Sequence, residues 1–520
     1  MPTSRPDTTE TPALQSAEIP EQVESAVTAF TASRDRFEQL CSFLGEQEAG
    51  SLTHGELEQR LSIDVRELVR QLYQDHLDLR TVREQRRDDL VDADGIRRGT
   101  VETGHARPLQ TIFGAVEVTR LAYRRRGGGN LYPGDAALNL PRERHSHGLR
   151  ELSAIESSRG SFQEAREAIQ RASGVQLGKR QLEQLAARAA TDVEAFYSQP
   201  TRTQDPATEA DLLVLSADGK GIVMRPDALR PATAKAARHG TAKLATRLSK
   251  GEKRNRKRMA EVGAVYDLRP QARTATDIIG RDDQALRPAA PKATNKWLTA
   301  SVVDNAATVI TAIFDEAQRR DPTGKRTWVA LVDGAKHQID CIQAEAKARQ
   351  VNVTVVCDFI HVLEYLWSAA WSFFTEGDTA AEKWVGHKAL AVLNGQASTV
   401  AASIRRKATT LDLDPARRRN ADRCADYLLA KRDYLDYPQA LEQGWPITTG
   451  IIEGACRHLV KDRLDLTGAR WGLHGAEAIL KLRALRSNGD FDAYWRYHLS
   501  QERQRVHQRR YADTTIPTAA

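Results

Sequence analysis

Three acidic residues stand where a chain places metal ligands rather than solvating charges. Asp218 follows the apolar run Leu212-Leu213-Val214-Leu215-Ser216-Ala217, and Asp333 follows Trp328-Val329-Ala330-Leu331-Val332. Glu453 lies in Gly450-Ile451-Ile452-Glu453-Gly454, at the start of a helical pattern. Carboxylate oxygens on rigid elements suit Mg²⁺, and two such ions about 3.5–4 Å apart clamp the oxygens of a phosphoryl transfer. If the three carboxylates meet, the chemistry is the cutting and joining of nucleic acid. Gly219-Lys220-Gly221 predicts a sharp turn that exposes Asp218, and Asp333-Gly334 repeats the device. Taken singly, each is equally an aspartate capping a strand-loop turn. Glycine inside a helix costs up to about 1 kcal/mol, so close approach to a ligand explains the glycines around Glu453 better than helix propensity does. Arg457, one turn on, is placed to hold a phosphate or to pair with Glu453.

Cations and aromatics flank these acids. The stretch Lys250-Gly251-Glu252-Lys253-Arg254-Asn255-Arg256-Lys257-Arg258 holds six basic residues in nine. It abuts a strand, so Lys253, Arg254, Arg256, Lys257 and Arg258 read as a loop on the nucleic-acid backbone, against the plainer reading of a solvated charge run. Asp358-Phe359-Ile360-His361 follows a strand end beside Cys357. No second ligand pair lies nearby, so His361 reads as structural or DNA-orienting rather than as a zinc ligand. Arg470-Trp471 offers a cation beside an aromatic that either stacks on an unpaired base or packs in the core.

The elements that must position these residues are legible in outline. Apolar residues recur at helical steps through residues 21–98 (Val23, Val27, Phe30, then Leu57, Leu61, Val65, Leu68), giving amphipathic, charged helices. Residues 107–126 are β-branched and aromatic, with Gly114 placed for a hairpin turn, and end in Arg124-Arg125-Arg126. Ser161-Phe162-Gln163-Glu164 is a capping box, and a second helix begins near Lys179 and Arg180 after Gly174. The pair fits either a DNA-reading helix-turn-helix or an ordinary helical hairpin. After a Pro/Thr-rich linker at 198–209 the pattern becomes α/β: strands at Leu212–Ala217, Gly221–Met224, Val262–Asp267, 328–333 and 351–357, with helices at 300–320 and 336–350. Ligands of such sheets bind at the carboxyl ends of strands. From Phe359 to about Leu441 the chain is helical, aromatic and basic (Trp367, Trp371, Trp384, Arg417-Arg418-Arg419), and reads as an insertion before Glu453.

Composition sets the outer bounds. The chain has 520 residues, a net charge of +7 from 76 Lys+Arg and 69 Asp+Glu, and five scattered cysteines with no CxxC pair. That argues against a disulfide framework or zinc ribbon and for a reducing, cytoplasmic setting. Residues 1–20 are polar and lack an apolar core, reading as a disordered tail; so does the basic, then Thr/Ala/Pro-rich segment 503–520. No run reaches the roughly 20 apolar residues of a membrane span.

The segments Ser216-Ala217-Asp218-Gly219-Lys220-Gly221, Asn255 through Tyr266, Leu331-Val332-Asp333-Gly334 and Gly450-Ile-Ile-Glu453-Gly454 together resemble bacterial insertion-sequence transposases of the ISKra type. That family is a DDE group related to Mutator-like transposases. The resemblance spans roughly residues 105–500. It implies an RNase H-like catalytic domain at 210–358 and 446–490 with a helical insertion at 359–445. A helical module (21–100) and a small β element with a helix-turn-helix-like region (101–200) would precede it and bind DNA. It implies that Asp218, Asp333 and Glu453 form the triad holding two Mg²⁺ or Mn²⁺ ions, and that Asp358-x-x-His361 orients rather than catalyses. The implied partners are duplex DNA, as element terminal repeats and target, and further copies of the chain; the implied setting is a bacterial nucleoid. An RNase H-like nuclease without strand transfer and a domesticated, non-catalytic DNA-binding protein are the alternatives, and the three retained carboxylates argue against the second. Glu477 is the rival to Glu453 as third acid.

Overall fold

The computed structural model describes residues 28–199, 211–240, 244, 246, 254–280, 291–466 and 468–516. The tail at 1–20, most of the linker and Lys253 lie outside the described residues. The chain forms two compact units, one of Met1–Arg150, Ile169–Gln176 and Leu499–Ala520, the other of Glu151–Ala168 and Leu177–His498.

In the first unit the helix His54–Arg83 opens with a capping box between Thr53 and Glu56 and packs on an antiparallel hairpin, β1 (Thr100–Thr111) and β2 (Gly114–Arg124). Gly114 takes a φ of +129°, as the hairpin turn required. Leu77, Leu109, Val116, Val118 and Leu140 form its core. The helical run expected to 98 ends at Arg83, because residues 84–99 build a polar knot instead. There Asp92 accepts from Arg98 Nε at 2.7 Å, Arg125 Nη1 at 3.0 Å and Ile96 N at 2.9 Å. Burial alone would raise the Asp92 carboxyl, but the Ile96 N–H and the Arg98 guanidinium outweigh it and hold the carboxyl at about 2. Its folded pKa therefore lies below the unfolded value of about 3.9. The stabilisation is present above about pH 4 and is lost as pH falls toward 2, which hydrogen exchange at 90–98 during acid titration should register as early opening. Asp92→Asn should abolish that acid-dependent step.

Residues 503–516 depart from the disorder expected of the C-terminal segment, while 517–520 lie outside the described residues. Helix continues to Val506, and Tyr511 is buried with Leu90, Tyr123, Leu131 and Ala136. Ala512 N donates to Val91 O at 3.2 Å and Ala93 N to Arg510 O at 3.0 Å. One aromatic anchor and backbone pairing outweigh the charge of the run.

The second unit is built on a five-stranded sheet ordered β5-β4-β3-β6-β7. Strands β3 (Leu212–Val223), β4 (Lys257–Leu268) and β5 (Ala293–Ser301) are antiparallel neighbours, while β6 (Trp328–Val332) and β7 (Val353–Cys357) continue parallel to β3. The unbroken apolar runs of β3 and β6 suit strands covered on both faces. The helix Ala306–Arg320, capped by Asn305, lays Val309, Ile310, Ile313 and Phe314 on the sheet. Gly263 is the point of closest approach, since a Cβ there would stand 2.5 Å from Ile313 Cγ2. Gly221–Met224 is not a separate strand. No turn follows Asp218, because Gly219 and Gly221 lie inside β3 beneath Met259, Glu261 and Lys257 of β4, where a Cβ would have 3.0–3.3 Å of room. Five α-helices and no strand lie between Phe359 and Glu442, as the pattern of that segment predicted. Tyr427 Oη and Tyr437 Oη donate from it to Asp333 O and Cys357 O, at 3.4 and 2.9 Å. No helix among the described residues is long and apolar enough to cross a membrane.

Candidate active site

The register of the sheet relates the two aspartates. Strands β3 and β6 pair from Leu213↔Trp328 to Ser216↔Leu331, an offset of 328 − 213 = 115. Asp218 and Asp333 differ by the same amount, 333 − 218 = 115. Continued two residues past the last pair, the same offset relates Asp218 to Asp333, which follows the end of β6 at Val332. The β6–β7 pair Val332↔Cys357 has an offset of 25, which places Asp358 beside Asp333 (358 − 333 = 25). Asp333 and Asp358 thus follow directly on the paired ends of β6 and β7.

Side-chain alternation decides which way Asp218 points. Ala217 pairs with Gly263, which faces the Ala306–Arg320 helix, so Asp218 faces the other side of the sheet. There Cys456 Sγ donates to Asp218 Oδ2 at 3.3 Å, and Gly219 N donates to Oδ1 at 2.6 Å. Burial, reinforced by this carboxylate, raises the Cys456 thiol, so it remains a neutral donor. Asp333 is half-buried and its Oδ1 accepts from Ala335 N at 2.8 Å. Gly334, at φ +91°, makes that turn, and Cβ there would press on Tyr427 and Cys357.

Glu453 is exposed on the helix Gly450–Ala455, which packs on β3 and β4 and runs into the π-helical turn Cys456–Lys461. Its orientation is set through Thr449. Asp358 is fully buried, caps the helix Phe359–Ala370 by accepting from Ile360 N at 2.9 Å, and accepts a short bond from Thr449 Oγ1. A hydroxyl has one proton, so Thr449 gives it to Asp358 and meets Glu453 Oε1 by a longer 3.3 Å contact. Thr449→Val strips a donor from a buried carboxylate and should cost about 1–3 kcal/mol. Urea unfolding measures this, and Thr449→Ser should restore stability.

All three carboxylates present oxygen donors of the kind hard divalent cations take. As placed, no three His, Cys, Asp or Glu side chains among the described residues converge closely enough to enclose an ion. His361 instead pairs with Glu364 at 3.0 Å, and burial pushes the Cys357 thiol up to about 12, far from the thiolate that zinc binding needs.

Several expected DNA contacts are placed otherwise. Arg258 lies in β4, its guanidinium spent on the Val302, Ala228 and Val303 carbonyls at 2.6, 3.3 and 3.3 Å. Trp471 is 6 % exposed, donates to Leu464 O at 3.0 Å and lies 4.8 Å from the Arg463 guanidinium, so it is core rather than a stacking platform. Arg457 pairs with Asp462 at 3.8 Å, not with Glu453, and Lys257 reaches Asp465 at 3.9 Å. Arg254, Arg256 and Arg470 are exposed. So are Lys179 and Arg180, at the start of the helix Lys179–Ala189, whose Leu182, Leu185 and Ala186 are buried.

Glu477 is committed elsewhere. It is 8 % exposed and accepts from Ser301 Oγ, Val302 N and Val303 N at 2.9, 2.8 and 3.2 Å, clamping the end of β5. Sequence reasoning passed over Glu261. Burial first, then the Asp218 carboxylate, raises its carboxyl against the pull of Arg230 and His337. The signal was present, since Glu261 is the one charged residue in the run from Met259 to Tyr266.

No known protein family matches the chain, and no curated protein does. Among solved structures, the Drosophila P element transposase strand transfer complex aligns at 12 % identity over 67 % of this chain and 79 % of that one, with a TM-score of 0.22. A likeness that loose carries no argument about fold or activity.

Proposed function

We propose that the chain is a DNA transposase, a metal-dependent enzyme that cuts and rejoins strands through Asp218, Asp333 and Glu453. The observation that carries this reading is that Asp218 and Asp333 are separated by the same 115 positions as the paired residues of the parallel strands β3 and β6. The strand order, an antiparallel meander extended by two parallel strands, supports an RNase H-like catalytic unit at 210–358 and 446–490 with its insertion at 359–445. The three carboxylates would hold two Mg²⁺ or Mn²⁺ ions. Such ions, when bound, supply Lewis acidity and an activated water for in-line phosphoryl transfer.

The chain's own residues position the strand. Lys220, on the same face of β3 as Asp218, and the exposed Arg254, Arg256 and Arg470 would neutralise backbone phosphates, a contribution that weakens with salt. Asp358, through Thr449, holds the helix that carries Glu453. The N-terminal helices, the β hairpin and the Lys179–Ala189 helix would bind the terminal repeats. Phe37, Ile63, Val65 and Leu72, exposed on the first helices, are the contact we assign to a second copy on paired ends.

The test is incubation of the full chain with duplex carrying the element's ends, with Mg²⁺ or EDTA. Metal-dependent nicks ending in 3′-OH, followed by joined products, are expected. Nicks without joining favour the nuclease alternative, and binding without nicks overturns the enzymatic reading.

A further inference from the structure

The first unit holds a second charged site, unrelated to the carboxylates. Strands β1 and β2, the segment 140–144 and the C-terminal turn at 507–511 line a cavity of about 400 Å³. Five guanidiniums border it, from Arg107, Arg120, Arg142, Arg144 and Arg510, against the single carboxylate of Asp135, leaving a net charge of 5 − 1 = +4. Asp135 is already shared, with Arg120 Nε at 2.8 Å and Arg107 Nη1 at 3.5 Å. Among the described residues, Arg142, Arg144 and Arg510 have no carboxylate within ion-pair distance.

The surrounding backbone holds these like charges in place. Arg107 Nη2 donates to Pro141 O at 2.9 Å and Glu143 O at 2.6 Å, bracing the segment that carries Arg142 and Arg144. Gln110 N donates to Arg144 O at 2.6 Å and Ser146 N to Gln110 O at 2.9 Å, fastening the same segment along β1. On the opposite wall His507 Nε2 meets Leu140 O at 2.8 Å, and burial lowers its pKa, so the ring stays neutral near pH 7 and donates. Arg510 Nη2 is fixed on Asn130 O at 2.7 Å. Rigidly gathered, unneutralised guanidiniums repel one another, and their planar forks match the oxygens of a phosphate.

We propose that this cavity is a phosphate-binding site, taking either a DNA backbone phosphate or the phosphate of a free nucleotide. Its chemistry does not depend on the catalytic reading, and the two can fail separately, because cleavage is assayed on Asp218 and phosphate binding on Arg142 and Arg144. The test substitutes the latter two as Arg142→Ala/Arg144→Ala in the full chain; both side chains are exposed, so folding is retained, and circular dichroism verifies it. In one arm, binding to unrelated duplexes is titrated against salt. If the site holds backbone phosphates, the slope of log K against log salt should flatten by roughly 2, near 0.9 per lost contact, equally for every sequence. In the other arm, ATP binding is measured by calorimetry, and a loss on the order of tenfold or more would assign the site to free nucleotides. Arg142→Lys/Arg144→Lys should recover most of the salt slope in the first case. Unchanged salt slope and unchanged ATP binding together overturn the proposal.

Discussion

Asp218→Asn and Asp333→Asn should each lower Mg²⁺-dependent cleavage of duplex DNA by about a thousandfold or more, while duplex binding stays within about twofold. The asymmetry follows from what each carboxylate touches. Asp218 accepts one backbone N–H and one thiol, and Asp333 accepts one backbone N–H. Asparagine keeps one acceptor oxygen at the same distance, and its amide can face the Cys456 sulfur. The fold should therefore shift by no more than about 1 kcal/mol. What the amide removes is the negative charge, the property that a hard cation or a developing phosphorane charge registers. Neither carboxylate is itself a phosphate contact, so affinity for DNA has no reason to fall and gains slightly from the lost repulsion. Gel-based nicking at matched occupancy measures both quantities. Cleavage within tenfold of the parent in either variant would remove that residue from the site.

The legible part of this site was the part encoded locally. An apolar run closed by aspartate, twice, located Asp218 and Asp333, and the interval of 115 between them turns out to equal the β3–β6 register offset. The orienting role given to Asp358 came from the resemblance alone; the structure shows it as the cap of the Phe359–Ala370 helix and the acceptor of the Thr449 hydroxyl. The local shape around Asp218 was misjudged for an equally local reason. Glycines at 219 and 221 signal turns in isolation, but here they make room for the long β4 side chains crossing above them. Strand β5 was missed because Thr294-Asn295-Lys296 break any apolar alternation and the strand pairs with the sheet only through β4.

Residues whose fate depends on distant partners could not be read. The guanidinium of Arg258 and the carbonyls it bonds are up to 45 positions apart, and the backbone of Trp471 pairs with that of Val223. Charge and aromaticity alone made both look like nucleic-acid contacts. The same limit applied to the C-terminus, where a run of arginines masked the single tyrosine that anchors it. Exposure is a tertiary property, whereas an acid at the end of a strand is nearly a secondary one.

The third acid is where the two kinds of information meet, and a paired substitution separates them. Glu453→Gln should leave stability within about 0.5 kcal/mol, since the side chain is exposed and makes one 3.3 Å contact. Cleavage should nevertheless fall about a thousandfold, as for the aspartates. Glu477→Gln should do the reverse. Its two oxygens accept from Ser301 Oγ, Val302 N and Val303 N, and Val302 is fully buried. A carboxamide has one acceptor and one donor end, so either two backbone N–H groups or the Ser301 hydroxyl must face an NH₂. With the amide oxygen on the two N–H groups, the NH₂ meets a Ser301 oxygen that already accepts from Val303 N and Asp304 N, which should cost about 1–3 kcal/mol, read as a lower urea midpoint with an unchanged slope. Where the variant remains folded, cleavage should persist near the parent rate. The opposite pattern, a folded but inert Glu477→Gln beside an active Glu453→Gln, would move the third carboxylate from the Gly450–Ala455 helix to the Leu473–Ser487 helix. It would also mean that the bonds holding the end of β5 break during the reaction.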